Sequence, residues 1–151
     1  MLPQATGLYP TNSADANKFI INDCECNILV VEDEKSLEKM WSVRNELSSV
    51  KKIVIYDGKK THDEVMTWDE LMELGKSQSD DALKERLANI AINQCCTLVY
   101  TSGTTGNPKG VMLSHDNVYW TTMLAADWIQ MREGQEVMVS YLPLSHIAGN
   151  L

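Results

Sequence analysis

No stretch of this chain approaches ~18 consecutive apolar residues, so the sequence offers no bilayer-spanning helix. The start, Met1-Leu2-Pro3-Gln4-Ala5, has neither a basic region nor an apolar run, and no secretory signal is read there. Basic residues are outnumbered: 13 Lys and Arg face 21 Asp and Glu, for a formal charge of -8. That excess repels polyphosphate at long range, so a nucleotide has to be held by a local arrangement. No basic stripe interleaved with aromatics is present, which argues against nucleic acid as a partner. Cysteine is sparse and wrongly spaced for a metal. Cys24 and Cys26 form C-x-C, Cys95 and Cys96 are adjacent, and neither matches the C-x-x-C of zinc sites or redox helices. With three His in all, no metal site is expected, and the thiols read as buried and reduced. Internal repeats are lacking too. The chain reads as cytoplasmic.

What is present fits a globular α/β protein. At 151 residues the chain is long enough for one domain, and a complete domain of that size buries roughly 70% of its unfolded surface. Asn12 or Ser13 is placed to cap a short helix carrying Ala16, Phe19 and Ile20 at helical spacing. Ile28-Leu29-Val30-Val31 is a wholly apolar, β-branched run, the mark of a buried parallel strand. Leu37, Met40, Trp41 and Leu47 then trace a helix stripe, and Ile53-Val54-Ile55-Tyr56 is a second strand ended by Asp57-Gly58. Strand, helix, strand over this length is a βαβ unit.

Residues 57–96 read as a helical excursion from that sheet. Thr67-x-x-Glu70 is a capping box over Trp68, Leu71 and Leu74, with Gly75 expected to stop the helix. Leu83, Leu87 and Ile90 mark a second amphipathic helix. A third strand, Thr97 to Tyr100, runs into a loop and then the apolar segment Val111-Met112-Leu113. Ser114 caps a helix expected from about Asp116 to Ile129, and a last strand is expected at Val137 to Tyr141, turning at Leu142-Pro143-Leu144-Ser145-His146. These strands are few for a finished parallel sheet, which needs neighbours on both edges and helices on both faces. The expectation is therefore a fragment.

The chemistry concentrates in Thr101-Ser102-Gly103-Thr104-Thr105-Gly106-Asn107-Pro108-Lys109-Gly110. Glycines let a backbone adopt positive φ and approach a ligand, so that amide N–H groups converge on an anion. The hydroxyls of Thr101, Ser102, Thr104 and Thr105 add donors, Lys109 adds a point charge suited to phosphate, and Pro108 stiffens the turn. This is not the Walker A pattern, because Lys109 follows Pro108 and precedes Gly110; nor is it G-x-G-x-x-G. The plain alternative is a polar surface loop between strands. Phosphate binding is preferred, because a flexible linker seldom sits between two apolar strands with a Pro and a Lys fixed at its end.

At these residues the chain resembles a known family. Tyr100 to Gly110 is similar to the signature of the adenylate-forming superfamily, which includes acyl-CoA synthetases, luciferases and peptide-synthetase adenylation domains. Leu142 to His146 resembles that superfamily's next signature, at the expected distance. Leu8 to Ser13, Cys26 to Glu34 and Asn93 to Cys96 narrow the resemblance to bubblegum-type long-chain fatty-acyl-CoA synthetases, with Pro10 a departure where relatives tend to have Thr.

The resemblance implies that 1–151 is an incomplete AMP-binding domain, a partial parallel-sheet piece of the family's large N-terminal domain. It implies a ligase joining fatty acid to ATP and then to coenzyme A, with Mg2+ as a further cofactor whose ligands are not in this chain. Thr101 to Lys109 (Thr101, Ser102, Gly103, Thr104, Thr105, Gly106, Asn107, Pro108 and Lys109) would grip the β- and γ-phosphates, with Thr104, Thr105 and Lys109 in direct contact. His146 would lie beside the acyl-adenylate pocket as the catalytic candidate. Read without the family, it is a hydrogen-bonding residue at a strand end. His115 belongs to a helix start, and His62 receives no role. The family's acidic metal ligand, ribose aspartate and C-terminal lysine have no counterpart here, so this polypeptide alone is expected not to form acyl-CoA. A non-catalytic product that binds nucleotide or pairs with a full-length relative stays open as an alternative, as does a sister enzyme acting on another acid. Peripheral association with the endoplasmic reticulum membrane is left open also.

Overall fold

The computed structural model describes residues 4–101, 107–132 and 134–137. In chain order the elements are β1 (Ala5–Thr6), α1 (Ala14–Asp23), β2 (Ile28–Val31), α2 (Glu34–Trp41), a 3-10 turn (Arg44–Glu46), β3 (Lys52–Ile55), β4 (Val65–Thr67), α3 (Trp68–Lys76), α4 (Asp81–Ala88), β5 (Cys95–Thr101), β6 (Lys109–Ser114) and α5 (His115–Trp128). They fall into two compact units, residues 10–84 on the one hand and residues 1–9 with 85–151 on the other. The strand expected at Val137 to Tyr141 lies almost wholly outside the described residues.

Residues 10–84 are built on a parallel sheet of order β2-β3-β4. β2 pairs with β3 from Ile28↔Lys52 to Val31↔Ile55, and α2 makes the crossover between them, as the βαβ reading requires. β3 is the central strand, and Ile53, Val54 and Ile55 are all buried, as expected of a strand covered on both faces. Ile20 and Ile21 of α1, Leu37 and Met40 of α2, and Leu29 and Val31 of β2 complete this core with Leu47, Val50 and Val65. β2 departs from the reading of a fully buried strand. It is an edge, and while Leu29 and Val31 are buried, Ile28 is 58% and Val30 49% exposed. Residues two apart on a strand share a face, so one face of β2 is uncovered.

Part of the stretch read as leaving the sheet returns to it. β4 pairs in parallel with β3, from Ile53↔Val65 to Ile55↔Thr67. Residues 56–64 make this second crossover without a helix, and α2 holds them in place. Glu34, Glu38 and Trp41 lie at i, i+4 and i+7 and so share a helix face. The Lys59 N–H donates to Glu34 Oε1 at 2.8 Å, and Thr61 Oγ1 donates to Glu38 Oε1 at 2.5 Å. His62 Nε2 lies 2.9 Å from the same oxygen, and its ring stacks on Trp41 with centroids 3.7 Å apart and planes 6° from parallel.

Local capping follows the sequence closely. Ser13 accepts from the Ala16 N–H and Asp33 from the Ser36 N–H, fixing the starts of α1 and α2. Thr67 and Glu70 form the expected reciprocal box at the start of α3. Gly75, expected to stop that helix, lies within it instead. Its φ is not among the positive values that a glycine stop uses, and α3 runs on to Lys76 with Ser77 as its cap.

Residues 1–9 and 85–151 carry a sheet of order β1-β5-β6. β1 runs parallel to β5, supported by Thr6 Oγ1 donating to the Leu98 carbonyl at 2.9 Å and Thr97 Oγ1 to the Ala5 carbonyl at 3.0 Å. β6 is antiparallel to β5, so this sheet is mixed. Among the described residues no helix is long and apolar enough to cross a membrane.

Candidate functional site

The candidate loop closes the hairpin of β5 and β6. The ladder runs from Cys95↔Ser114 through Tyr100↔Gly110 to Thr101↔Lys109, its last pair. Thr101 and Lys109 therefore face each other at the two feet of the loop. Because strand side chains alternate, they share the face opposite Tyr100 and Gly110. Burial agrees: Tyr100 is 4% exposed, whereas Thr101 and Lys109 lie open to solvent. Lys109 has no ion-pair partner among the described residues, so its ammonium is available to a ligand.

Gly110 has a steric reason to be glycine. A Cβ there would sit 3.0 Å from Cζ and 3.1 Å from the hydroxyl oxygen of Tyr100. The Tyr100 ring thus lies across the Gly110 backbone and fixes the pair that sets the loop's base, an arrangement known from aromatic cover of strand glycines. The sequence places Tyr100 in the strand, but its pairing with Gly110 emerges only from the fold. The signal lay in the alternation Val99, Tyr100, Thr101, which puts the aromatic ring on the face away from the loop's polar groups.

Of the predicted loop residues, Thr101, Asn107, Pro108 and Lys109 are described, and Asn107 lies exposed beside half-buried Pro108. Ser102, Gly103, Thr104, Thr105 and Gly106 lie outside the described residues, as does His146. The strand leading into the loop is half-buried rather than buried, apart from Tyr100. Beyond the loop, Ser114 caps α5 in a reciprocal box with Asn117, and His115 is the first helical residue, as expected. The His115 N–H donates to the Gln94 carbonyl at 3.1 Å, tying the helix start to the approach of β5.

The thiols differ from the reading of buried cysteines. Cys24, Cys26, Cys95 and Cys96 are free and half-buried. Burial pushes the Cys24 and Cys26 thiols up, which disfavours the reactive thiolate. Among the described residues no group of three or more His, Cys, Asp or Glu is placed to hold a metal ion.

The family of the chain is shown by comparison with known proteins. The chain belongs to the AMP-binding enzyme family, whose model matches residues 5–151. Over 152 residues it is 48% identical to the long-chain-fatty-acid–CoA ligase ACSBG2 of Xenopus laevis, a match covering 97% of this chain and 21% of that protein. It is 47% identical over 151 residues to the long-chain-fatty-acid–CoA ligase ACSBG1 of Rattus norvegicus, with the same coverage of 97% and 21%. The chain thus spans about a fifth of the length of these relatives, and the resemblance to bubblegum-type synthetases is borne out. Two solved structures show the fold. ATP-bound MatB of Rhodopseudomonas palustris matches with a TM-score of 0.68 at 22% identity, covering 97% of this chain and 26% of that one. A luciferase-like enzyme of the mealworm Zophobas morio matches with a TM-score of 0.62 at 20% identity, over 83% and 27%. The α/β class with parallel strands holds accordingly.

Proposed function

We propose that this chain carries the ATP-phosphate-binding hairpin of a long-chain fatty-acid–CoA ligase. The observation that carries the reading is the register of β5 and β6, which sets exposed Lys109 against Thr101 at the base of a loop rich in Gly, Ser and Thr. Family membership and the names of the relatives supply the reaction class.

In the proposed reaction a fatty-acid carboxylate oxygen attacks the α-phosphorus of ATP. The α–β phosphoanhydride bond breaks, giving acyl-adenylate and pyrophosphate. The thiol of coenzyme A then attacks the acyl carbon, and AMP leaves with the bonding pair. The first step brings two anions together, so positioning and local positive charge decide its rate. The Lys109 ammonium would bind and orient the phosphates that leave as pyrophosphate, with Thr101, Ser102, Thr104, Thr105, Asn107 and the backbone of Gly103 and Gly106 completing the grip. Pro108 would hold the loop's exit in one conformation. His146 is proposed to shape the carboxylate site. Coenzyme A and fatty acid are proposed partners, together with the rest of the parent chain. The proposed setting is the cytoplasm, with peripheral attachment to the endoplasmic reticulum membrane to be checked by cell fractionation.

The test is Lys109→Ala in the complete parent protein, read as fatty-acid-dependent exchange of pyrophosphate into ATP. A hydrogen bond to a charged group contributes about 1.5–3 kcal/mol, so exchange should fall by roughly 10- to 150-fold. Exchange unchanged by the substitution overturns the reading.

A further inference from the structure

Within residues 10–84 a cleft opens where α2 ends and β3 begins. Two adjoining cavities share Trp41, Arg44 and Glu64. One, of about 160 Å³, adds Lys51, Lys52 and Ile53; the other, of about 350 Å³, adds Asn45 and Leu47. Leu47 and Ile53 are buried, so the cleft has an apolar floor under a polar rim.

Its charge runs against the rest of the chain. Arg44, Lys51 and Lys52 line it together with one acidic residue, Glu64, and Arg44 Nη1 donates to the Leu47 carbonyl at 3.5 Å, whereas the whole chain carries a formal charge of -8. Three cationic residues around one concavity would favour an anion there despite the long-range repulsion. A planar guanidinium matches two oxygens of one phosphate, and two ammonium groups add charge without demanding geometry. Three cations suit a dianion better than a single carboxylate.

The aromatic wall is fixed in advance. His62 stacks against the Trp41 indole, and His62 itself is held on Glu38, which also takes the Thr61 hydroxyl. With that stacking in place, Trp41, which lines both cavities, would meet a ligand at little further cost in side-chain order. A flat ring in the ligand would lie against it.

We infer that this cleft binds a phosphate monoester bearing a flat ring, the phosphate on Arg44, Lys51 and Lys52 and the ring against Trp41. The site lies at the amino-terminal end of β3. Open α/β sheets place catalytic ligands at the carboxyl ends of their strands, so a ligand here would act as an effector. The inference does not rest on the ligase reading.

The probe is phenyl phosphate, titrated calorimetrically into the full chain carrying Lys109→Ala, which removes the hairpin's cation from the measurement. Saturable binding is expected, with inorganic phosphate and phenol each binding more weakly. Lys51→Glu and Lys52→Glu should each weaken binding at least ~10-fold. Arg44→Lys should weaken it less, by keeping the charge and losing the fork. Glu64→Gln should tighten it several-fold by removing the one repelling carboxylate, a gain that no folding defect produces. Two results overturn the inference: no saturable binding, or binding indifferent to Lys51→Glu and Glu64→Gln in variants whose circular dichroism matches the parent.

Discussion

Replacing Gly58 by alanine adds a methyl group where both backbone and space forbid it. Gly58 ends the turn after β3 with φ at +122°, a region that L side chains rarely adopt. Its Cβ would lie 2.7 Å from both Cδ and Oε2 of Glu34. The strained backbone alone costs about 1–3 kcal/mol. The carboxylate would also have to swing away, releasing the Lys59 N–H that it accepts at 2.8 Å. Gly75→Ala is the matched control. Gly75 lies inside α3 with nothing within 4 Å of the added carbon. There alanine should stabilise by about 0.5–1 kcal/mol, because glycine loses more backbone freedom in a helix. The same chemical change thus has opposite signs at two sites, separated by about 1.5–4 kcal/mol. Urea unfolding followed by circular dichroism, with amide exchange of Ile53 to Ile55 as the local readout, measures both. Equal midpoints for the two variants would refute the assignment of strain to the Gly58 turn.

Leu37→Ala empties a site with no solvent exposure at the centre of residues 10–84, and should cost about 2–5 kcal/mol in the same assay. Acid should destabilise these residues. Hydrogen bonds hold four carboxyls below their ordinary range: Asp33 by Ser36, Glu34 by the Lys59 N–H, Glu38 by Thr61 and then His62, and Glu70 by Lys60. A depressed folded pKa gives stability that is present above the unfolded pKa, roughly 3.9–4.3, and lost as pH falls through the folded value. The urea midpoint should be flat above about pH 5 and fall below ~4, less steeply in Glu38→Gln; a midpoint that rises on acidification contradicts the sign.

The features legible in the sequence were those decided locally. Ser13, Thr67 and Ser114 each satisfy an N–H group three residues away, and the caps found are those expected. The apolar run at Ile53 marked the central strand because both faces of that strand are covered. What depended on distant partners was hidden. β4 is short, and its place follows from Glu34, Glu38 and Trp41 holding residues 56–64, a pattern with no periodicity of its own. His62 looked like a polar-loop residue because its partner lies on the preceding helix. Gly75 is ambiguous in sequence because a glycine near a helix end has two uses, and only φ separates them. In the candidate site, residue types pointed to phosphate, but the register setting Thr101 against Lys109 came from the ladder alone.

The two units also differ in how much they cover for themselves. Among the described residues, every buried apolar side chain except Tyr100 belongs to residues 10–84. α5 buries none of its side chains: Tyr119, Trp120, Met123 and Leu124 are exposed, and Trp128 is 86% exposed. A surface helix of a finished domain has a polar face, whereas one apolar on all sides ordinarily lies inside. Isolated helices of about this length are marginal in water, even when well capped. The Ser114–Asn117 box therefore starts α5 without stabilising its length. Amide exchange on this chain should find Ile53 to Ile55 among the slowest protons, opening only on unfolding of residues 10–84, while α5 from Tyr119 onward exchanges near the rate of a fraying peptide. If α5 is protected as strongly as β3, its apolar surface is covered by contacts other than those described, and the contrast between the units fails. If it is weakly protected, the order of α5 from Tyr119 onward depends on cover from outside residues 107–137, while the hairpin ahead of it keeps its own ladder from Cys95↔Ser114 to Thr101↔Lys109.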